Sequence, residues 1–141
     1  MRHTRITRHN ALIRLERKVV VGVIGLMVAI LIVQWVTIGQ AARNAEAFMI
    51  AKNVVVAMNV LYIHNDMSYR ADSNGSLLEK LYAIEKGIQH FATRDSSPGE
   101  VTPLFHGSDS FIIHVRGAGR CAREYWATEQ GVKETGTLPG G

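Results

Sequence analysis

The sequence predicts an α+β protein in which one long N-terminal helix, part transmembrane and part amphipathic, packs against a small α+β head. Three observations predict it: an apolar run long enough to cross a membrane, a following stretch of helical periodicity, and a C-terminal part that mixes helix and strand patterns. The chain has 141 residues, which leaves room for one small domain beside a membrane segment.

The apolar run carries no charge from Val19 to Val33 and continues to Ile38. A helix of about 20 residues at roughly 1.5 Å per residue spans the roughly 30 Å of hydrocarbon in a bilayer. Trp35 suits the far interface, and the cations before the run place the N-terminus in the cytoplasm by the positive-inside rule. Those cations border the apolar run and lack interleaved aromatic residues. We therefore expect them to contact a membrane, and we expect no nucleic-acid contact. They are Arg2, Arg5, Arg8, Arg14, Arg17 and Lys18.

A cleaved secretory signal is the alternative interpretation of this run. The segment "GQAARNAEA" offers small residues after the apolar core, and cleavage there would start the mature chain near Arg43. The apolar run is longer than a typical signal core, which favours a membrane span that is retained.

Residues 40–66 contain neither Gly nor Pro and repeat apolar side chains at helical spacing. Phe48, Val55 and Tyr62 recur every seventh position, so the segment predicts an amphipathic helix whose apolar face packs the head. Gly39 is the one weak point between this helix and the span, and it costs about 1 kcal/mol relative to Ala. The two halves, 12–39 and 40–66, then form one helix of about 80 Å between residues 12 and 65.

The head is expected over residues 67–130. Ser76 is a candidate cap for a second helix through "LLEKLYAIEKGIQHFA", which Gly87 interrupts near its end. The segment "SFIIHV" predicts a strand with His114 facing outward, and "EVTPLF" a weaker one.

The segment "GAGRCAREYWATEQ" predicts a third helix that carries Cys121 and Tyr125 inward, so Cys121 joins the head-packing residues. Residues 131–141 have the composition of a flexible tail. With so few strands the sheet would be too small to be stable alone, so either neighbouring chains supply strands or the chain is a minor, divergent or degraded member of its family.

Catalytic chemistry finds little support in the sequence. The six histidines show no paired ligand spacing with one another or with Cys121, which is the single cysteine. No serine lies in a nucleophile-elbow context. We therefore predict no enzyme activity, no metal site and no cofactor.

The order of features resembles that of a type IVb pilin. Ala11 precedes "LIRLE", an apolar residue followed by a glutamate at the fifth position, and an unbroken helix follows. The segment "SFIIHVRGAGRCAREYW" is similar to the family's strand that leads into a helix with a cysteine. The resemblance covers roughly residues 11–128, on short motifs.

The resemblance implies a basic leader over residues 1–11, which a prepilin peptidase would remove between Ala11 and Leu12. It implies that Glu16 pairs with the new N-terminal amine of an adjacent pilin subunit and sets axial register. The alternative for Glu16 is an ordinary juxtamembrane pair with Arg17 or Lys18.

The membrane half would pack against other subunits in a homo-oligomer, and Gly22 and Gly25 would permit close approach. Glycines are also common in membrane helices that make no such contact. The predicted function is therefore a structural subunit of a bacterial pilus or of a pilus-like secretion or conjugation apparatus. The chain would cross the inner membrane once, with its head in the periplasm, before assembly.

Two further alternatives stay open. In the first, the chain is a single-pass envelope protein that never polymerises, either a sensor or an accessory secretion component. Alternatively, it is a fragment of a longer pilin, because heads of this family usually carry a second cysteine and more strands, and this sequence ends about 20 residues beyond Cys121.

Overall fold

The computed structural model describes the backbone of residues 3–134 and the side chains from Glu16 onward. The chain forms two compact units, residues 1–39 and residues 40–141. The described elements are α1 (His3–His64), α2 (Asn74–Ile84), α3 (Lys86–Thr93), β1 (Glu100–His106), β2 (Phe111–Arg116), β3 (Glu124–Thr128) and β4 (Gly131–Glu134).

Helix α1 continues without a break until a left-handed turn ends it. Asp66 and Met67 have φ of 50° and 59°, a region that helices of L-residues do not propagate through. The N–H of Met67 donates to the carbonyl of Tyr62 at 3.0 Å, which satisfies one carbonyl of the last turn. The long helix predicted from the sequence is therefore present.

The second predicted helix is divided in two. Its N-cap is Ser73 rather than Ser76, because the Ser73 hydroxyl accepts from the N–H of Ser76. Glu85 then leaves helical geometry, with φ of −134°, and its carboxylate accepts from the N–H of Gly87 to start α3. The break falls two residues before the glycine that the sequence indicated.

The sheet is an antiparallel meander with strand order β1-β2-β3-β4. The strands predicted in "SFIIHV" and "EVTPLF" are β2 and β1, and β1 contains Pro103 beside a bulge that shifts its register toward Phe105. The expected tail contains β4, which pairs with β3 through Val132 and Ala127. Residues 135–141 of that expected tail lie outside the described residues. Four strands backed by helices need no donated strand to form a core, so that expectation is wrong.

The prediction of a third helix is also wrong, because residues 124–128 form β3. Tyr125 and Ala127 point into the core, while Trp126 between them lies on the other face. That alternation has the period of a strand, and aromatic residues favour strands. Gly119, with φ of +111°, lies in the turn that brings the chain back beside β2.

The hydrophobic core lies between the inner face of the sheet and α1 from residue 40 onward. Phe111, Ile113 and Val115 alternate inward along β2 and are fully buried. Helices α2 and α3 add buried apolar side chains to the same cluster. The fold is therefore α+β, a helix packed against a four-stranded antiparallel sheet and two short helices. The fully buried residues of α1 are Ala47, Ala51, Val54, Ala57 and Met58.

Candidate functional site

The first candidate site is the apolar surface of residues 16–39. Its large apolar side chains are between 48% exposed, at Val28, and 83% exposed, at Trp35. The most apolar window of α1 has a mean hydropathy of 2.7, and none of it is buried within the protein. One described helix is thus long and apolar enough to cross a membrane, and its large apolar side chains are exposed.

The polar boundary of this surface begins at Glu16, which is exposed together with Arg17 and Lys18. No ion pair involves Glu16 among the side chains that the structure describes from this residue onward. Ala11 and Leu12 lie before the first described side chain, so the predicted cleavage site is outside the described side chains.

Gly22 and Gly25 interrupt the large side chains of the apolar surface. A Cβ added at either position would meet no described heavy atom within 4 Å. The two positions are therefore free for close approach by another helix, which small residues allow in membranes. Their role as contact points stays a prediction.

The head-packing residues predicted on α1 lie at the margin of the core. Phe48, Val55 and Tyr62 are half-buried and pack against the core cluster. The Phe48 ring lies 5.4 Å from that of Tyr125. The centre of the contact is made by small residues such as Ala47 and Ala51, which the sevenfold pattern passed over. The available signal was that small, uncharged residues recur there at every third or fourth position.

Cys121 is exposed, so its predicted place in the head packing is wrong. It lies in the irregular segment 117–123 between β2 and β3, where no strand alternation or helix turns it inward.

The connection between β2 and β3 is docked onto α1, a contact that the sequence analysis missed. The side-chain oxygen of Asn44 accepts from the backbone N–H of Arg123 at 3.0 Å. A Cβ added to Gly117 would lie 3.2 Å from the carbonyl oxygen of Arg43. The glycine therefore permits a close approach of the two backbones, and the two glycines in "GAG" were its only sequence signal.

The outer face of the sheet carries polar and aromatic side chains. His114 faces outward, with its ring 4.6 Å from that of Trp126 and Nε2 3.4 Å from Oε2 of Glu124. Within the described part of the chain, no three His, Cys, Asp or Glu residues are grouped so that they could hold a metal ion.

Burial raises the pKa of three tyrosines in the head. The pKa of Tyr69 is raised above its ordinary value, first by burial and then by the charges of Tyr62 and Glu129. Burial likewise raises the pKa of Tyr82 and of Tyr125. A raised phenol pKa keeps the group neutral, as expected for a packing role.

Comparisons with known protein families, with characterised proteins and with solved structures find no match to this chain. Within the described chain, α1 is apolar before residue 40, and its part from residue 40 onward packs on a small antiparallel sheet.

Proposed function

We propose that this chain is a type IVb pilin-like structural subunit that assembles through its N-terminal helix into a bacterial pilus or a pilus-like secretion or conjugation apparatus. The observation that carries the proposal is the apolar surface of residues 16–39, which nothing in the described chain covers. Before assembly this surface lies in the inner membrane, and in the filament the helices of sister subunits replace the lipid.

Glu16 supports the proposal because it distinguishes one axial position on an otherwise uniform apolar surface. Apolar packing alone leaves two helices free to slide along each other, since one apolar turn resembles the next. A carboxylate that pairs with the N-terminal amine of a neighbouring subunit fixes one axial position, because a charge left unpaired beside hydrocarbon is costly.

The proposal requires that the leader be removed so that the amine exists. Mass spectrometry of the membrane-purified protein tests this, and the expected mature chain begins at Leu12. Ala11→Phe is expected to block processing because the leader of the resembled family ends in a small residue, while Ala11→Gly is the matched control that preserves it.

An intact Met1, or a start near Arg43, would contradict the proposal. The first result would favour a single-pass envelope protein that keeps its basic flank, and the second a secreted form. Either outcome would also remove the expected peptidase from the partners of this chain.

A further inference from the structure

His106 ends β1, and each of its ring nitrogens has a hydrogen-bond partner. The backbone N–H of Ala71 donates to Nδ1 at 3.2 Å. Nε2 lies 2.9 Å from Oδ1 of Asn74. The side-chain nitrogen of Asn74 donates to the carbonyl of Pro103 at 3.1 Å, which fixes the amide so that its oxygen faces the ring.

These three contacts fit one protonation state of the ring. A backbone N–H is only a donor, so Nδ1 must present its lone pair to Ala71, and Nε2 must carry the hydrogen that Asn74 accepts. This is the neutral tautomer with its hydrogen on Nε2. A second proton would place an N–H on Nδ1 against the N–H of Ala71, which removes that bond and keeps the bond to Asn74.

We propose that His106 is a protonation-operated latch: its neutral ring holds Ala71, in the connection between α1 and α2, to β1, and protonation of the ring removes that bond. Histidine is the side chain whose ordinary charge change falls between about pH 5 and pH 8. The latch does not depend on whether the chain polymerises, since all its atoms lie within the head.

The effect of the latch is local, because other contacts also hold the connection. Tyr69 is buried in the core, and its N–H donates to the carbonyl of Ser108 at 3.1 Å. The side chain of Asn65 donates to the carbonyl of Arg70 at 2.9 Å. Opening of the latch therefore removes a single bond at Ala71, whose side chain still packs against the core cluster, while Ser73 still caps α2.

Charged side chains lie on the segments around the ring. They are Arg70 and Asp72 on the connection, Asp109 in the turn after β1, and Glu129, whose carboxylate accepts from the N–H of Phe111, the strand partner of His106. Across the described side chains, no ion pair includes His106. Protonation therefore removes the bond that Ala71 donates to the ring.

His64 provides an internal contrast. Its Nδ1 lies 2.8 Å from the carbonyl oxygen of Val60, an acceptor, so this nitrogen must carry a hydrogen. Protonation of His64 leaves that bond in place. The two histidines thus have opposite hydrogen-bond polarity at Nδ1, and only His106 loses a bond when it is charged.

Nuclear magnetic resonance of the full chain in detergent micelles tests the latch. Ring nitrogen shifts are expected to show the Nε2–H tautomer for His106 at about pH 7.5. Protection of the Ala71 amide from hydrogen exchange, corrected for intrinsic rate, is expected to fall about fivefold as the His106 ring is protonated, the value of one ordinary hydrogen bond. His106→Gln carries no titrating group and is expected to remove this pH dependence.

Three results would overturn the proposal. The Nδ1–H tautomer at His106 would contradict the donor assignment. Ala71 protection that stays constant while the ring titrates would show that no bond is released. An equal loss of protection in His106→Gln would assign it to another group, and the ring shifts of the unaltered protein decide the matter if that variant does not fold.

Discussion

Arg94 donates from Nη1 to Oε1 of Glu46 at 2.8 Å and thereby joins the end of α3 to α1. The side chains of Arg94 and Glu46 are 21% and 39% exposed, so water only partly screens the pair. Arg94 also donates from Nε to the carbonyl of Ser97 at 2.9 Å, which holds the guanidinium in place. This geometry makes the pair a contributor to the docking of α3.

We expect a double-mutant cycle with Glu46→Gln and Arg94→Met to give a coupling of about 1 kcal/mol in the free energy of unfolding, near the upper end for partly exposed pairs. The more exposed pair of Arg123 and Glu134 is the control and should give about half or less. Thermal unfolding of the full chain in micelles measures both. Equal coupling in the two pairs would show that burial does not set their strength.

Gly99 lies against the ring of Phe91, and a Cβ at this position would overlap carbons of that ring. Phe91 is 1% exposed and cannot move aside without disturbing the core. We expect Gly99→Ala to destabilise the head by about 1 to 3 kcal/mol, the usual cost of overpacking. Gly75→Ala in α2 is the matched control, because its Cβ would lie 3.9 Å from its nearest neighbour. There we expect a gain of about 0.5 to 1 kcal/mol from helix propensity, so a loss in both variants would contradict the packing argument.

The raised pKa of Tyr69 makes stability sensitive to alkaline pH. Burial and the charges of Tyr62 and Glu129 raise this pKa above its ordinary value of 10.0, so the folded state holds the phenol proton more tightly than the unfolded chain does. This contribution is complete below about pH 10 and is lost as the pH rises through the folded-state pKa. Unfolding free energies measured from about pH 9 to pH 11 should fall less steeply in Tyr69→Phe. An unchanged slope would assign the alkaline loss to other groups.

The elements with a clean local pattern were those the sequence predicted well. Helix α1 and strand β2 combine unbroken periodicity with consistent propensity, so local and tertiary preferences agree. The secondary structure of residues 124–128 was harder to predict, because "EYWAT" fits both a helix and a strand. Pairing with β2 decides between them. Strand β4 has only four residues and exists through its pairing with β3, which no local pattern reveals.

The residues of the candidate site also divide into those with a local sequence pattern and those whose position depends on distant parts of the chain. The uncovered apolar surface follows directly from composition, since a run without charge needs an apolar environment in any fold. The hydrogen-bonded ring of His106 could not be predicted, because its partners Ala71 and Asn74 come from a separate part of the chain. Cys121 was misplaced because its inward position depended on a helix that does not form.

Replacement of Glu16 tests its proposed role in assembly directly. We expect Glu16→Gln to insert into the membrane normally, because it removes a charge beside the apolar span, but to enter filaments at least about tenfold less. That loss corresponds to one charge-assisted hydrogen bond of about 1.5 to 3 kcal/mol. Quantitative blotting of sheared filaments against membrane fractions measures it.

Arg17→Gln is the control, because a pair with the N-terminal amine of a neighbour does not involve Arg17. If Arg17→Gln lowers incorporation equally, Glu16 acts through an ordinary juxtamembrane pair; equal incorporation of Glu16→Gln and the unaltered chain would remove its role in register.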